Sequence, residues 1–334
     1  MIEDETVCVI IAAKNAEETI GRAVRSALAE PETAEVIVVD DGSDDRTMAE
    51  AASADDGTGR LEIVQFPVNR GPAAARNHAI EMSSAPLVSI LDADDFFFPG
   101  RFRRLLTGRG WDFIADNIAF METVDLSRQP QAFAPRPRQL DLATFVLGNL
   151  SRRGAARGEL GFLKPVMRRA FLDAHGLRYR EEMRLGEDYE LYLRALLHGA
   201  RYTLIESCGY GAVVRANSLS GQHRTEDLEA LRDAELAILS TGDVPADAAP
   251  FLQRHCRQIG RRHALRDFLD SKREGGIGGA LAYAIENPVA MPAIAGGILR
   301  DKMEAAWPRL RPRPPAVGSD GLRYLLPAQS ADRA

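Results

Sequence analysis

Cysteine is scarce in this chain of 334 residues: Cys8, Cys208 and Cys256 stand far apart. No Cys-x-x-Cys pair exists, so nothing points to a zinc knuckle, a redox couple or a disulfide scaffold. Cys8, inside an apolar run, reads as a small buried hydrophobe. Lysine is nearly as rare, confined to Lys14, Lys164, Lys272 and Lys302, so almost all of the 42 basic residues are arginine. No stretch reaches the ~18 consecutive apolar residues of a membrane-spanning helix. The acidic start, Met-Ile-Glu-Asp-Glu-Thr, does not read as an export or transit signal. A formal charge of −6 argues against a nucleic-acid partner. Familiar nucleotide and hydrolase motifs are missing as well. The apolar residues 7–12 run into Ala13-Lys14-Asn15-Ala16 with no G-x-G-x-x-G, and there is no phosphate-loop lysine, G-x-S-x-G elbow or H-E-x-x-H. The expectation is a cytoplasmic chain with one large or two modest domains.

What is present is an alternation. Apolar runs at 7–12, 36–39, 63–66 and 87–91 are separated by helical segments at 18–28, 46–54 and 73–82. Ile20, Val24, Ala27 and Leu28 make the stripe of the first, Ser43 or Asp44 could cap the second, and Pro72 suits the first turn of the third. Continuous apolar strands alternating with helices predict an α/β fold, a mostly parallel central sheet flanked by helices. Such sheets bind ligands beyond the carboxyl ends of their strands. The acidic and glycine-rich clusters fall there. Further on, the pattern predicts a strand over 112–119, a loop over 129–138, helices over 140–150 and from Glu187 to a stop at Gly199, strands over 201–205 and 210–214, and helices over 226–239 and 248–269. The division expected is 1–225 as the working domain and 226–334 as a helical extension. Residues 277–299 are apolar but interrupted by Glu286, Pro288 and Pro292, and a Pro/Arg-rich tail follows from Trp307 to Pro315. A packed helical appendage with a disordered tail is the plain reading, and a peripheral contact with the membrane surface the sharper one.

Carboxylates cluster as Asp40-Asp41, Asp92-Ala93-Asp94-Asp95 and Glu187-Asp188. Adjacent acids repel unless a cation or hydrogen-bond donors offset them. Oxygen donors of this kind suit Mg²⁺ or Mn²⁺, which bind one or two carboxylates plus substrate phosphates. A solvated turn is the plain alternative for the second cluster, and acids matched to a helix dipole for the third. Asn69-Arg70-Gly71-Pro72-Ala73-Ala74-Ala75-Arg76-Asn77 supplies a turn, a small-residue helix start and two cations, a combination that favours an anion. The six histidines are scattered and read as surface or core.

Five pieces in order resemble the family-2 glycosyltransferases, an inverting group with the GT-A fold. They are Val7-Cys8-Val9-Ile10-Ile11-Ala12-Ala13-Lys14-Asn15, Val38-Val39-Asp40-Asp41-Gly42-Ser43, Asn69-Arg70-Gly71 through Arg76-Asn77, Leu91-Asp92-Ala93-Asp94-Asp95, and Gly186-Glu187-Asp188-Tyr189. Lys14 departs from the pattern, which more often has an aromatic there. The resemblance covers roughly 5–225. Gly161-Phe162-Leu163-Lys164-Pro165-Val166 and Arg215-Ala216-Asn217-Ser218 narrow it to bacterial exopolysaccharide enzymes of the succinoglycan-assembly type. It implies a UDP-sugar donor, a saccharide acceptor with a polyprenyl-diphosphate-linked form as one option, and Mn²⁺ or Mg²⁺ on Asp94 and Asp95. It implies nucleotide-sugar contacts at Ala12, Ala13, Asn15, Asp41, Arg76, Asp92, Ala93, Arg215 and Ser218. Asp188 would be the general base, with Glu187 beside it in the catalytic pair. The expected reaction moves a hexose, glucose by preference, to a hydroxyl in exopolysaccharide or cell-surface polysaccharide synthesis. A sugar nucleotidyltransferase and a non-catalytic assembly protein are the alternatives. The first would normally show a Gly/Lys-rich activation loop, which Ala12–Asn15 does not supply.

Overall fold

The computed structural model describes residues 5–124, 130, 137–150, 159–214, 224–306 and 322–326, the side chains of 300, 301, 304 and 305 aside. The chain divides into two compact units. The first comprises Met1–Phe145, Leu160–Ala216 and Ala316–Ala334, the second Val146–Glu159 and Asn217–Pro315.

In the first unit the apolar runs become β1 (Val7–Ala13), β2 (Thr33–Asp40), β3 (Leu61–Gln65) and β4 (Leu87–Ile90), parallel and ordered β3-β2-β1-β4. Val7 through Ile11 are fully buried, which is why β1 reads as unbroken apolar sequence and not as an alternation. Between these strands lie α1 (Ile20–Leu28), α2 (Thr47–Ala52) and α3 (Pro72–Met82). Helix α1 buries one stripe, Ile20, Ala23, Val24, Ala27 and Leu28. Helix α3 buries Ala73, Ala74 and Ala75 and also Arg76 and Asn77. Buried polar groups demand partners, and those of α3 find them in the site described below.

Beyond β4 come β5 (Phe96–Phe97), α4 (Arg101–Leu105), β6 (Phe113–Met121), β7 (Arg138–Leu140), α5 (Leu142–Asn149), β8 (Val166–Arg168), α6 (Arg169–Ala174), α7 (Glu187–Leu197) and β9 (Tyr202–Val213). The sheet continues β4-β8-β6-β9-β5, with β8 antiparallel to both β4 and β6, β6 parallel to β9, and β5 and β7 antiparallel to β9. The parallel arrangement holds for the first four strands, and the far half is mixed. The two strands expected over 201–205 and 210–214 are one, β9, whose register against β6 shifts on either side of Asn117. Of the loop expected over 129–138, residues 129 and 131–136 lie outside the described residues, and Arg138 opens β7. Residues 151–158 and the Pro/Arg stretch 307–315 are likewise outside. Past that stretch the chain returns to the first unit as β10 (Arg323–Tyr324), antiparallel to β6. Asn117 secures it, donating from Nδ2 to the Leu326 carbonyl and accepting from the Leu326 N–H, both at 2.9 Å.

The second unit contains α8 (Thr225–Ser240), α9 (Ala249–Glu286) and α10 (Met291–Ala306). Helix α8 buries Leu228, Leu231 and Ile238, and α9 buries Leu252, Cys256 and Ile259. His255 meets Glu235 at 2.5 Å. The span of α9 is two helical segments that meet at Gly276, whose φ of +60° and ψ of −142° are not helical, so the first segment runs past the expected 269. The chain then folds back, so that Tyr283 meets Phe268 edge-on and donates to the Ala264 carbonyl at 3.3 Å. Among the described residues no helix is long and apolar enough to cross a membrane.

Candidate active site

The site forms at the carboxyl ends of β1, β2 and β4 in the first unit. Asn15, just past β1, has φ +48°, a left-handed conformation Asn tolerates better than most residues. Its N–H donates to Ser43 Oγ at 2.8 Å and its Oδ1 accepts from the Asp44 N–H at 3.0 Å. Ala12 is half-buried and Ala13 buried, and the Ala13 carbonyl accepts the Asp41 N–H at 2.8 Å. Lys14 reaches over the same turn to the Gly42 carbonyl at 2.7 Å. Asp41 is 4% exposed and joins two turns, its Oδ1 accepting the Arg70 N–H at 2.6 Å and its Oδ2 the Gly71 N–H at 2.9 Å. Each oxygen retains a second lone pair for a ligand. Gly71, at φ +95°, then admits Pro72 and starts α3.

Next to this turn lies a ring of charges. Arg76, on the second turn of α3, donates to Asp92 Oδ1 at 3.0 Å, to Glu187 Oε1 at 3.1 Å and to Asp188 Oδ1 at 3.2 Å. Lys164 closes the ring from the other side, its Nζ 2.8 Å from Asp92 Oδ2 and 2.8 Å from Asp188 Oδ2. Three carboxylates therefore surround two cations. Burial alone would discharge them; instead the Asp188 and Asp92 charges outweigh it and raise Lys164 and Arg76 above their ordinary values. For Asp92 the upward push of burial loses to Lys164 and Arg76, and its carboxyl is held at about 2. Glu187 goes the other way, raised chiefly by burial with Arg76 opposing.

Each member of the ring is placed by its element. Gly186 occupies the N-cap of α7 at φ +73°, a conformation that favours glycine, and it turns the chain so that Glu187 and Asp188 sit in the first helical turn. The helix dipole favours negative charge there. Lys164 precedes β8; its carbonyl accepts from Arg101, and the neighbouring Leu163 carbonyl accepts from Tyr192 Oη of α7 at 3.1 Å. Asn77 clamps Tyr179 by two bonds of 2.8 Å, through the backbone N–H and carbonyl of that tyrosine. The Tyr179 ring in turn lies 5.3 Å from the Arg76 guanidinium. Burial and then the Asp188 charge push the Tyr179 phenol well up.

The two acids expected at a metal differ. Asp95 is buried and both its oxygens are engaged, Oδ2 accepting from Tyr210 Oη at 2.8 Å and Oδ1 from the Val213 N–H at 2.9 Å. Burial, with Asp92 and Asp94 beside it, raises its carboxyl well above the usual range. Tyr210 Oη also accepts the Asp92 N–H at 3.2 Å, so Asp95 anchors the turn. Asp94 is half-buried, and Ala93 between the acids is buried. Among the described residues no three His, Cys, Asp or Glu side chains converge on a metal-sized space. Mg²⁺ and Mn²⁺ do not require such a cage when substrate phosphates supply the remaining oxygens. One partly exposed carboxylate at a strand end fits that pattern.

Of the expected site residues, the structure gathers Arg76, Asp92, Glu187 and Asp188 into one cluster. Ala12, Ala13, Asn15 and Asp41 lie on the adjoining turns, and Arg215 and Ser218 lie outside the described residues. Lys164, Tyr179 and Tyr210 were not singled out beforehand as site residues.

A model of the family described as "Glycosyl transferase family 2" matches residues 8–111. The succinoglycan biosynthesis protein ExoU of Rhizobium meliloti (strain 1021) is 59% identical over 331 residues, 98% of this chain and 97% of that one. ExoO of the same organism is 34% identical, over 85% of this chain and 82% of its own. Among solved structures, S. aureus TarS 1-349 in complex with UDP-GlcNAc superposes with a TM-score of 0.59 and 21% identity, covering 91% of this chain and 82% of TarS 1-349. That likeness is one of fold, and it is a GT-A-like fold. The extent and identity of the ExoU match, together with the family model, show that this chain belongs to the family-2 glycosyltransferases.

Proposed function

We propose that the chain is an inverting hexosyltransferase that moves a hexose, glucose by preference, from a UDP-sugar to a hydroxyl of a growing saccharide in exopolysaccharide synthesis. One observation carries the reading. Asp188, on α7, is tied through Arg76 and Lys164 to Asp92 at the end of β4, and this supports reading Asp188 as the carboxylate for the acceptor and Asp92 as the one for the nucleotide. The full-length similarity to ExoU and the UDP-GlcNAc bound to TarS support the class of donor and pathway.

In this mechanism Asp41 and the backbone of Ala12 and Ala13 receive the base, and Asp92 faces the ribose. Asp188 accepts the proton of the acceptor hydroxyl as that oxygen attacks the anomeric carbon from the face opposite the diphosphate. Such general-base assistance is worth about 10²–10⁴ in rate. Inversion in one displacement needs one base, so the flanking carboxylate pair of a hydrolase is not required. Asp94 is the side chain offered to Mn²⁺ or Mg²⁺, and the bound ion supplies Lewis-acid stabilisation of the departing diphosphate. Asp95 keeps the turn in place. The catalytic domain spans 1–225, and 226–334 forms an extension that brings the enzyme to the inner face of the membrane, where a polyprenyl-diphosphate-linked acceptor resides. The exposed aliphatic side chains of Ile277, Leu281 and Ile285 support that last step.

Incubation with UDP-glucose, Mn²⁺ and a lipid-linked saccharide tests the reading. UDP release with acceptor elongation is expected; pyrophosphate chemistry would indicate a nucleotidyltransferase, and absence of turnover with UDP-sugars a non-catalytic role. Asp188→Asn should abolish transfer and leave the Kd for UDP within about threefold, measured by calorimetry. Loss of UDP binding in that variant would remove Asp188 from the acceptor side.

A further inference from the structure

We propose that Lys164 is a positioning residue of the transfer reaction, an ammonium that holds Asp188 ready for the acceptor and couples it to Asp92 on the donor side; the role rests on the reading of the site given above. Lys164 is 6% exposed, and its Nζ meets the carboxylates of Asp92 and Asp188. Its Nζ is equidistant, at 2.8 Å, from one oxygen of each acid. Those two oxygens, one facing the donor and the other the acceptor, are therefore held within twice that distance by a single group.

Arg76 spans the same pair of acids, but it cannot replace Lys164. One of its nitrogens, Nη1, is shared between Glu187 and Asp188, so its hold on Asp188 is divided. The groups that face Asp188 are Arg76 of α3, Lys164 ahead of β8, Glu187 and Tyr192 of α7, Tyr179 and Tyr202, with Asp92 across the cations. Lys164 is the one cation in this set that Glu187 does not hydrogen-bond. Its residue type also fits. In a chain whose basic residues are almost all arginine, a lysine stands where a compact point charge must meet two carboxylates at once, a task for which a planar guanidinium fork is less suited. The backbone is fixed on both sides, by Arg101 at the Lys164 carbonyl and by Tyr192 at that of Leu163.

The test compares wild type, Lys164→Met and Lys164→Arg. With UDP-glucose and acceptor, Lys164→Met should lower kcat by about 10²-fold or more, the scale of lost general-base catalysis, with a change in donor KM at least tenfold smaller. The acid limb of its kcat profile should move up by about one pH unit, because a carboxylate that has lost a neighbouring cation protonates more readily. Lys164→Arg, which keeps the charge and loses the geometry, should return the limb toward wild type while kcat recovers only in part. A second readout does not depend on turnover. The carbon-13 carboxyl resonance that disappears in Asp188→Asn should titrate about one pH unit higher in Lys164→Met than in wild type, and Lys164→Arg provides the comparison should the methionine variant not fold. Wild type that does not release UDP would defeat the transferase reading and with it the positioning role, whereas the resonance would still decide whether Lys164 holds the Asp188 carboxylate. An unmoved resonance, or a kcat loss with an unmoved acid limb, would overturn the inference and leave Lys164 a structural residue.

Discussion

Asp92 is the residue at which burial and charge compete most visibly. Its folded value of about 2 lies below the unfolded carboxylate value of about 3.9. The sign follows: its contribution to stability is present above pH 4 and is lost as pH falls toward 2. Two units correspond to at most ~2–3 kcal/mol, and the side chain is about one-third exposed, so solvent screening reduces that figure. Urea midpoints of wild type and Asp92→Asn should therefore differ fully at pH 5 and above and converge as pH falls from about 4 toward about 2. A gap independent of pH would show that the ion pairs contribute nothing. Glu187 and Asp95, raised by burial, act in the opposite sense and oppose folding as pH rises through their folded values. Arg76, Asp92 and Asp188 were legible in the sequence because each sits in a short motif beside an apolar run. Tyr179 was not, and Lys164 stood in the Gly161–Val166 motif with no site role attached to it. Each lies in irregular chain with no periodicity around it, and each has a partner far along the chain, Lys164 in Asp92 and Tyr179 in Asn77.

At the scale of elements, Arg101 does for the far half of the sheet what Arg76 does for the site. It is the first residue of α4, and it forms an ion pair of 3.0 Å with Asp116 of β6 in which neither side chain is exposed. Its guanidinium lies 4.7 Å from the Phe97 ring and 5.3 Å from that of Tyr210, and it donates to the Lys164 carbonyl. One side chain thus fastens β5, β6, β9 and the segment that carries Lys164. Arg101→Met should cost about 3–5 kcal/mol, because it leaves the Asp116 charge buried and unpaired. Adding Asp116→Asn should recover part of that loss, a coupling that a double-mutant cycle of urea midpoints measures; simple additivity would argue against the pair. The first four strands were legible because both of their faces are buried and the sequence reports it as continuous apolar runs. The far half was harder to read. In β9, Glu206 and Ser207 interrupt the apolar pattern midway, and β10 is two residues beyond a Pro/Arg stretch, too short to leave any period.

For the whole molecule the open term is the second unit, where apolar side chains face solvent. Ile277, Leu281, Ile285 and Val289 are 59–93% exposed, and the first three recur at the four-residue spacing that places side chains on one face of a helix. From Gly275 to Leu299 the sole formal charge is Glu286. The same unit exposes Arg254, Arg257 and Arg261, for which no ion pair is present among the described residues. Aliphatic residues that enter the acyl boundary together with arginines near anionic headgroups are the two components of interfacial binding, and each arginine near such a surface is worth about 1 kcal/mol. Cosedimentation with vesicles containing anionic lipid should be clear at low salt and weaken as salt screens the arginines. Replacing Ile277, Leu281 and Ile285 together by Ser should weaken it at least tenfold, the loss expected if even one of these side chains, at ~1.5–3 kcal/mol, leaves an apolar phase. Point substitution is the sounder design here. Deleting everything after Asn287 would also remove β10, which pairs with β6 in the first unit, so that loss of binding could follow from damage to the sheet. Unchanged cosedimentation of the triple variant would assign the aliphatic row to some other surface and leave the arginines as the whole of the contact.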